Sequence, residues 1–124
     1  MTFAYWCLPL AMFLPLLWVG YAKVNGGRGY DNSKPREWLE TRKGRAQRAN
    51  WAQQNSYEAF PPFAAAVIVA HLTNAPQMTI DLMAGAFIVV RIAHGCFYIA
   101  DMSTLRSMAW VAGYGLTVAL FIAA

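Results

Sequence analysis

The stretch VVRIAHGCFYIAD, Val89 to Asp101, decides how the rest of the chain is read. Arg91, His94, Tyr98 and Asp101 stand three or four residues apart, so a helix would carry all four within an arc of roughly 80°. Their neighbours Ile88, Val89, Val90, Ile92, Phe97 and Ile99 are side chains that lipid or another helix would cover. A charge well inside an apolar helix costs about 2.5–3.5 kcal/mol on insertion scales, so it faces a partner or a wet pocket. The remainder of the chain is expected to supply both.

Composition sets the surroundings. The 124 residues suit a single domain; 58% are hydrophobic and 13% charged, against roughly 25% charged in ordinary soluble domains. The balance is that of an integral-membrane protein. The net charge of +4 is not spread as a nucleic-acid surface would require, because most Lys and Arg residues fall between Lys23 and Arg48. Such clustering holds a connection on the cytoplasmic side during insertion. Cys7 and Cys96 lie far apart in apolar segments and read as buried, inert thiols.

The expected fold is all-α, with spans at about 3–22, 46–72, 80–100 and 105–123 and a polar cytoplasmic loop at 23–44. Both termini then lie outside. Within the loop, Asn25-Gly26-Gly27-Arg28-Gly29 reads as a flexible linker, and Pro35–Lys43 as a short interfacial helix with Trp38 and Leu39 turned to lipid. The second span is polar in its first half and apolar from Phe60 onward. Its Arg45, Arg48, Asn55 and Glu58 share one side. Asn74 and Pro76 mark an outer turn, and Ser103 or Thr104 is a candidate cap for the fourth span.

In an antiparallel hairpin of the second and third spans, Glu58 and Arg91 reach similar depth, about 3 Å apart along the axis. They are expected to pair, with Asn55 and His94 completing the hydrogen bonding. Arg45, Arg48, Tyr98, Arg106 and Ser107 gather near the inner boundary. Guanidiniums, a phenol and a hydroxyl there suit an anion or a thiolate. His71 and His94 are too far apart for a metal site, and neither a nucleophile elbow nor a paired-carboxylate site is present.

The segments RAQRANWAQQNSYEAFPPF and RIAHGCFYIADMSTLRS resemble the MAPEG family, the membrane-associated proteins in eicosanoid and glutathione metabolism. The likeness covers about Arg45 to Trp110. It rests on Asn55-x-x-Glu58 before Pro62-Phe63, and on Arg91-x-x-His94-x-x-x-Tyr98 before Arg106-Ser107. It implies a four-helix membrane bundle assembled as a homotrimer, with glutathione as co-substrate between subunits near the cytoplasmic boundary. Arg45, Arg48, Asn55, Glu58, Arg91 and His94 would bind the tripeptide. Arg106, Ser107 and Tyr98 would act on its thiol, and a lipophilic electrophile would arrive from the bilayer. The eicosanoid enzymes carry basic residues where this chain has Gln54 and Trp51, so the pattern is nearer to small members of bacterial cytoplasmic membranes. The alternative is a non-catalytic subunit of the same fold that binds lipid or a larger membrane complex.

Overall fold

The computed structural model describes residues 1–124 and contains five helices and no strand: α1 (Phe3–Asn25), α2 (Pro35–Glu40), α3 (Gly44–Leu72), α4 (Gln77–Ile99) and α5 (Ser103–Ala123). Three of them, α1, α4 and α5, are long and apolar enough to cross a membrane. Many of their largest side chains face outward, among them Leu16, Leu17, Leu82, Val89, Val111 and Ile122. Water would oppose that surface and lipid would not.

Local chemistry sets the helix ends. The Thr2 hydroxyl caps α1 by accepting the Tyr5 N–H at 3.2 Å. Two turns share one design. Asn74 after α3 and Asp101 after α4 have φ of 60° and 61°, and the amides that follow reach back over the helix end. Ala75 donates to the Ala70 carbonyl at 3.0 Å, and Met102 to the Phe97 carbonyl at 2.9 Å. These are Schellman closures, and Asn and Asp tolerate the left-handed conformation they require. Asp101 therefore leaves the helix and does not extend the stripe of Arg91, His94 and Tyr98. Because Met102 belongs to that closure and also serves as the N-cap of α5, Ser103 falls inside the first turn. Neither Ser103 nor Thr104 caps the helix.

Packing divides into two cores. Toward the α3–α4 turn, small residues bring helices close: Ala4, Cys7 and Ala11 of α1, Ala66 and Ala70 of α3, and Ala84 of α4. Phe63 and Phe87 stack between α3 and α4 with centroids 3.8 Å apart. At that end the Ala4 N–H donates to Asp81 Oδ1 at 2.9 Å, which also accepts from Gln77 Nε2. His71 donates from Nδ1 to the Val67 carbonyl, so its Nε2 accepts the Thr2 hydroxyl at 2.9 Å. The start of α1 is thus tied to α3 and α4 together.

The second core holds Trp18 and Ala22 of α1, Ala49 and Ala52 of α3, Ile99 of α4, and both Trp38 and Leu39 of α2. Trp38 and Leu39 point inward and not to lipid, contrary to the interfacial expectation. The cause is Arg42, whose guanidinium lies 4.4 Å from the Trp38 ring centroid. It donates to the carbonyls of Trp38 and Gly26 at 3.1 and 3.0 Å, so the glycine-rich segment is pinned at its start. Gly26 must be a glycine, since a Cβ there would lie 2.3 Å from the Trp38 ring. Two polar-looking segments are thereby folded onto the molecule.

Candidate functional site: a cleft between α3, α4 and α5

The polar half of α3 runs beside the second half of α4 and the start of α5, and the three enclose a cleft. At its floor Arg91 is 2% exposed, and its Nη2 donates to Asn55 Oδ1 at 2.6 Å. The expected Glu58–Arg91 ion pair does not form. The single ion pair of the molecule joins Lys34 and Glu37 at 3.7 Å. Glu58 matches Arg91 in depth, but three residues beyond Asn55 it stands about 60° further round α3, on an exposed face. It nevertheless lines the same cavity of about 210 Å³ as Arg91, with Asn55, Phe87, Trp110, Tyr114 and Thr117.

Toward the α4–α5 turn a second cavity, of about 290 Å³, is lined by Asn55, His94, Tyr98, Arg106, Ser107 and Trp110. The Arg106 guanidinium lies 4.7 Å from the centroid of the Tyr98 ring, and His94 meets that ring edge-on at 5.6 Å. Arg106 is thereby held by a cation–π contact without a carboxylate to neutralise it. His94 is 2% exposed, and its Nδ1 has no hydrogen-bond partner. The outer mouth is formed by Trp51, Gln54, Asn55, Glu58 and Tyr98. Asn55 borders all three spaces, so they lie side by side around one side chain.

Asn55, Glu58, Arg91, His94, Tyr98, Arg106 and Ser107 thus come together as the sequence suggested. Arg45 and Arg48 do not line the cleft. Arg48 donates from Nε to the Ile99 carbonyl at 3.0 Å, capping the C-terminal end of α4. Arg45 is exposed in the first turn of α3, roughly 15 Å along the axis from Asn55. The wall contributed by α5 was missed. Trp110, Gly113, Tyr114 and Thr117 recur at helical spacing and mark one face, yet in an almost wholly apolar helix nothing in the sequence says which face turns inward.

The arrangement can hold an anion. Two guanidiniums, Arg91 and Arg106, face one cleft, with an imidazole, a phenol and a hydroxyl between them. The backbone of α5 adds less than its sequence position suggested. The Arg106 amide is already bonded to the Met102 carbonyl at 2.9 Å, so Arg106 and Ser107 offer side chains only.

A family model described as MAPEG family matches residues 3–124. The chain belongs to the MAPEG family. No curated protein and no solved structure matches it. The MAPEG match extends beyond the 45–110 region that carries the resemblance, taking in α1 and α2. This MAPEG chain is accordingly a membrane protein of the family associated with eicosanoid and glutathione metabolism. Trp51 and Gln54, the two positions where the resemblance sets this chain apart from the eicosanoid enzymes, both stand at the mouth of the cleft.

Proposed function

We propose that the protein is a four-span, homotrimeric membrane enzyme that uses glutathione against lipophilic electrophiles, as a transferase or a peroxidase. The observation that carries this reading is the shared cavity of Arg106, Ser107, Tyr98 and His94, which shares Asn55 and Trp110 as walls with the space around Arg91. Arg91 and Asn55, with Glu58 and His94, would bind the tripeptide. The Arg106 guanidinium and Ser107 hydroxyl would hold the thiolate, and Tyr98 would keep Arg106 in position. The thiolate sulfur then attacks the electrophile, and the displaced group departs with the electron pair. Arg45, exposed and unpaired, is left for the cleft of a neighbouring subunit, whereas Arg48 is held at the end of α4 by the Ile99 carbonyl. Loop 23–44 would face the cytoplasm of a bacterial cell and both termini the outside, with α3, 29 residues long, as the remaining span.

A positive, partly enclosed site lowers a thiol pKa. Glutathione added to the purified protein should therefore show ultraviolet thiolate absorbance at neutral pH, where a free thiol of pKa about 8.5 is mostly protonated. Arg106→Ala should abolish the signal and Ser107→Ala should weaken it. Binding without thiolate absorbance would defeat the catalytic reading. Failure to bind at millimolar glutathione would favour a non-catalytic subunit that binds lipid or a larger complex. The replacement of basic residues by Trp51 and Gln54 at the mouth is the observation on that side.

A further inference from the structure

The wall that α5 adds to the cleft is aromatic. Trp110 and Tyr114 stand one turn apart, their rings stacked with centroids 5.3 Å apart and 19° between planes. Both line the cavity of about 210 Å³ that holds Arg91, and Phe87 of α4 borders it too, fixed by its stack on Phe63. Tryptophan and tyrosine are common at membrane interfaces, where their polar edges meet headgroups. Tyr114 does not belong to such a belt: α5 starts at Ser103, so Tyr114 lies about 16 Å along it, near the middle of the span. Lipid offers a phenol nothing at that depth, and the cavity does. At about 210 Å³ the space is smaller than the ~300–1,000 Å³ of sites that enclose drug-sized ligands, so it suits a compact ring better than a long acyl chain.

Charge is placed for the same guest. Arg91 has five N–H donors and spends one on Asn55 Oδ1, which leaves donors for an oxygen in the cavity it lines. Trp110 also lines the neighbouring cavity, where Arg106 and Ser107 stand. A ring lying on Trp110 therefore has a guanidinium in each of the two spaces that Trp110 borders. Preorganised cations stabilise oxygens that become negative during reaction. Two carbonyl oxygens on opposite edges of a flat ring match two cations flanking an aromatic wall, whereas an open-chain enal offers one carbonyl and no ring. Resting on the glutathione reading above, we propose that the electrophile of this site is a planar conjugated dicarbonyl of the quinone class, stacked on Trp110 and Tyr114. The thiolate sulfur bonds to an unsubstituted ring carbon. The electron pair displaced from the ring moves to a carbonyl oxygen, and no group leaves with it. The hydrogen of that ring carbon departs as a proton. Together with the thiol proton it converts both oxygens to hydroxyls, so the product is a thioether of the hydroquinone.

The ring site is tested without any thiol. A naphthoquinone methylated at both attackable carbons binds but cannot react. Titrated into the purified full-length protein, it should quench tryptophan fluorescence saturably and give a visible charge-transfer band from its stack on indole. A saturated ring diketone of the same size should compete poorly. Trp110→Leu should remove the band, and Tyr114→Leu should weaken binding several-fold; both side chains are exposed, so neither change threatens the fold. Quenching that never saturates, equal competition by the saturated diketone, or a band that survives Trp110→Leu would overturn the assignment. With glutathione present, kcat/KM for unsubstituted naphthoquinone should exceed that for an unbranched enal several-fold, and Trp110→Leu should shrink the ratio mainly through KM. The two readings fail separately. Quinone binding without thiolate absorbance would defeat the transferase and with it the addition step. Thiolate absorbance and enal turnover without quinone binding would leave the transferase standing and overturn the quinone assignment alone.

Discussion

Arg91 carries five N–H donors and, at 2% exposure, has little water to give them to. Its one protein acceptor is Asn55. Asn55→Ala should therefore cost about 1.5–3 kcal/mol, the range for a hydrogen bond to a charged group. Glu58→Ala should cost well under that, because Glu58 shares the cavity without reaching the guanidinium. Unfolding of the detergent-solubilised variants by titrated denaturing detergent would rank them. A double-mutant cycle should show strong coupling of Arg91 to Asn55 and weak coupling to Glu58. The reverse order would restore the ion pair that depth alone suggested. Here the sequence was half legible: it supplied the three residues that matter and chose the wrong partner among two on neighbouring turns.

Between elements, the approach of α4 to α1 hangs on Gly95. A Cβ at that position would lie 2.1 Å from the Trp18 ring, a closeness that neither rigid partner can absorb. Gly95→Ala should destabilise by about 1–3 kcal/mol, as overpacking generally does. Trp18→Leu in the Gly95→Ala background should recover part of the loss, since the smaller side chain vacates the space. Melting midpoints of the two single variants and the double variant measure this, and strictly additive losses would show that the two positions do not touch. Gly95 sits between His94 and Cys96, inside the cleft-forming half of α4, so the same contact that seats α1 also sets the depth of His94. Nothing around Gly95 in the sequence marks it as an α1 contact, because Trp18 is far away along the chain.

Across the whole molecule the polar 26–43 segment lies at the end opposite the α3–α4 turn. The proposed topology, which rests on charge placement, puts the first toward the cytoplasm. In a background of Cys7→Ala and Cys96→Ala, Ser33→Cys should be labelled by an impermeant thiol reagent only from the cytoplasmic side. Thr73→Cys should be labelled only from outside; it spares Asn74, whose positive φ a cysteine would strain. Labelling of both from one side would invert or break the proposed topology. Outside the membrane, the Ser33 hydroxyl and backbone N–H hold the Asp31 carboxyl below its usual range. That turn is strongest above the ordinary aspartate range and weakens as pH falls through the lowered value, which the Ser33 amide resonance of the unsubstituted protein should report as an acid-induced shift.

The sequence by itself determined the helical class, three apolar spans, the polar half of α3 and most of the residues that line the cleft. These follow from hydropathy and from the 3.6-residue repeat, which are local properties of the chain. It also reached the family, through residues spaced on single helices. Only the tertiary structure decided which neighbour meets Arg91, that Arg48 is committed to the end of α4, and that α5 contributes a wall. Only it turned Trp38 and Leu39 inward, because the Arg42 clamp joins residues separated by a loop. Periodicity assigns a residue to a face of its own helix. Which face meets which depends on how the helices rotate about their axes, and that rotation is settled by packing, at contacts such as Gly95 against Trp18 and Gly26 against Trp38.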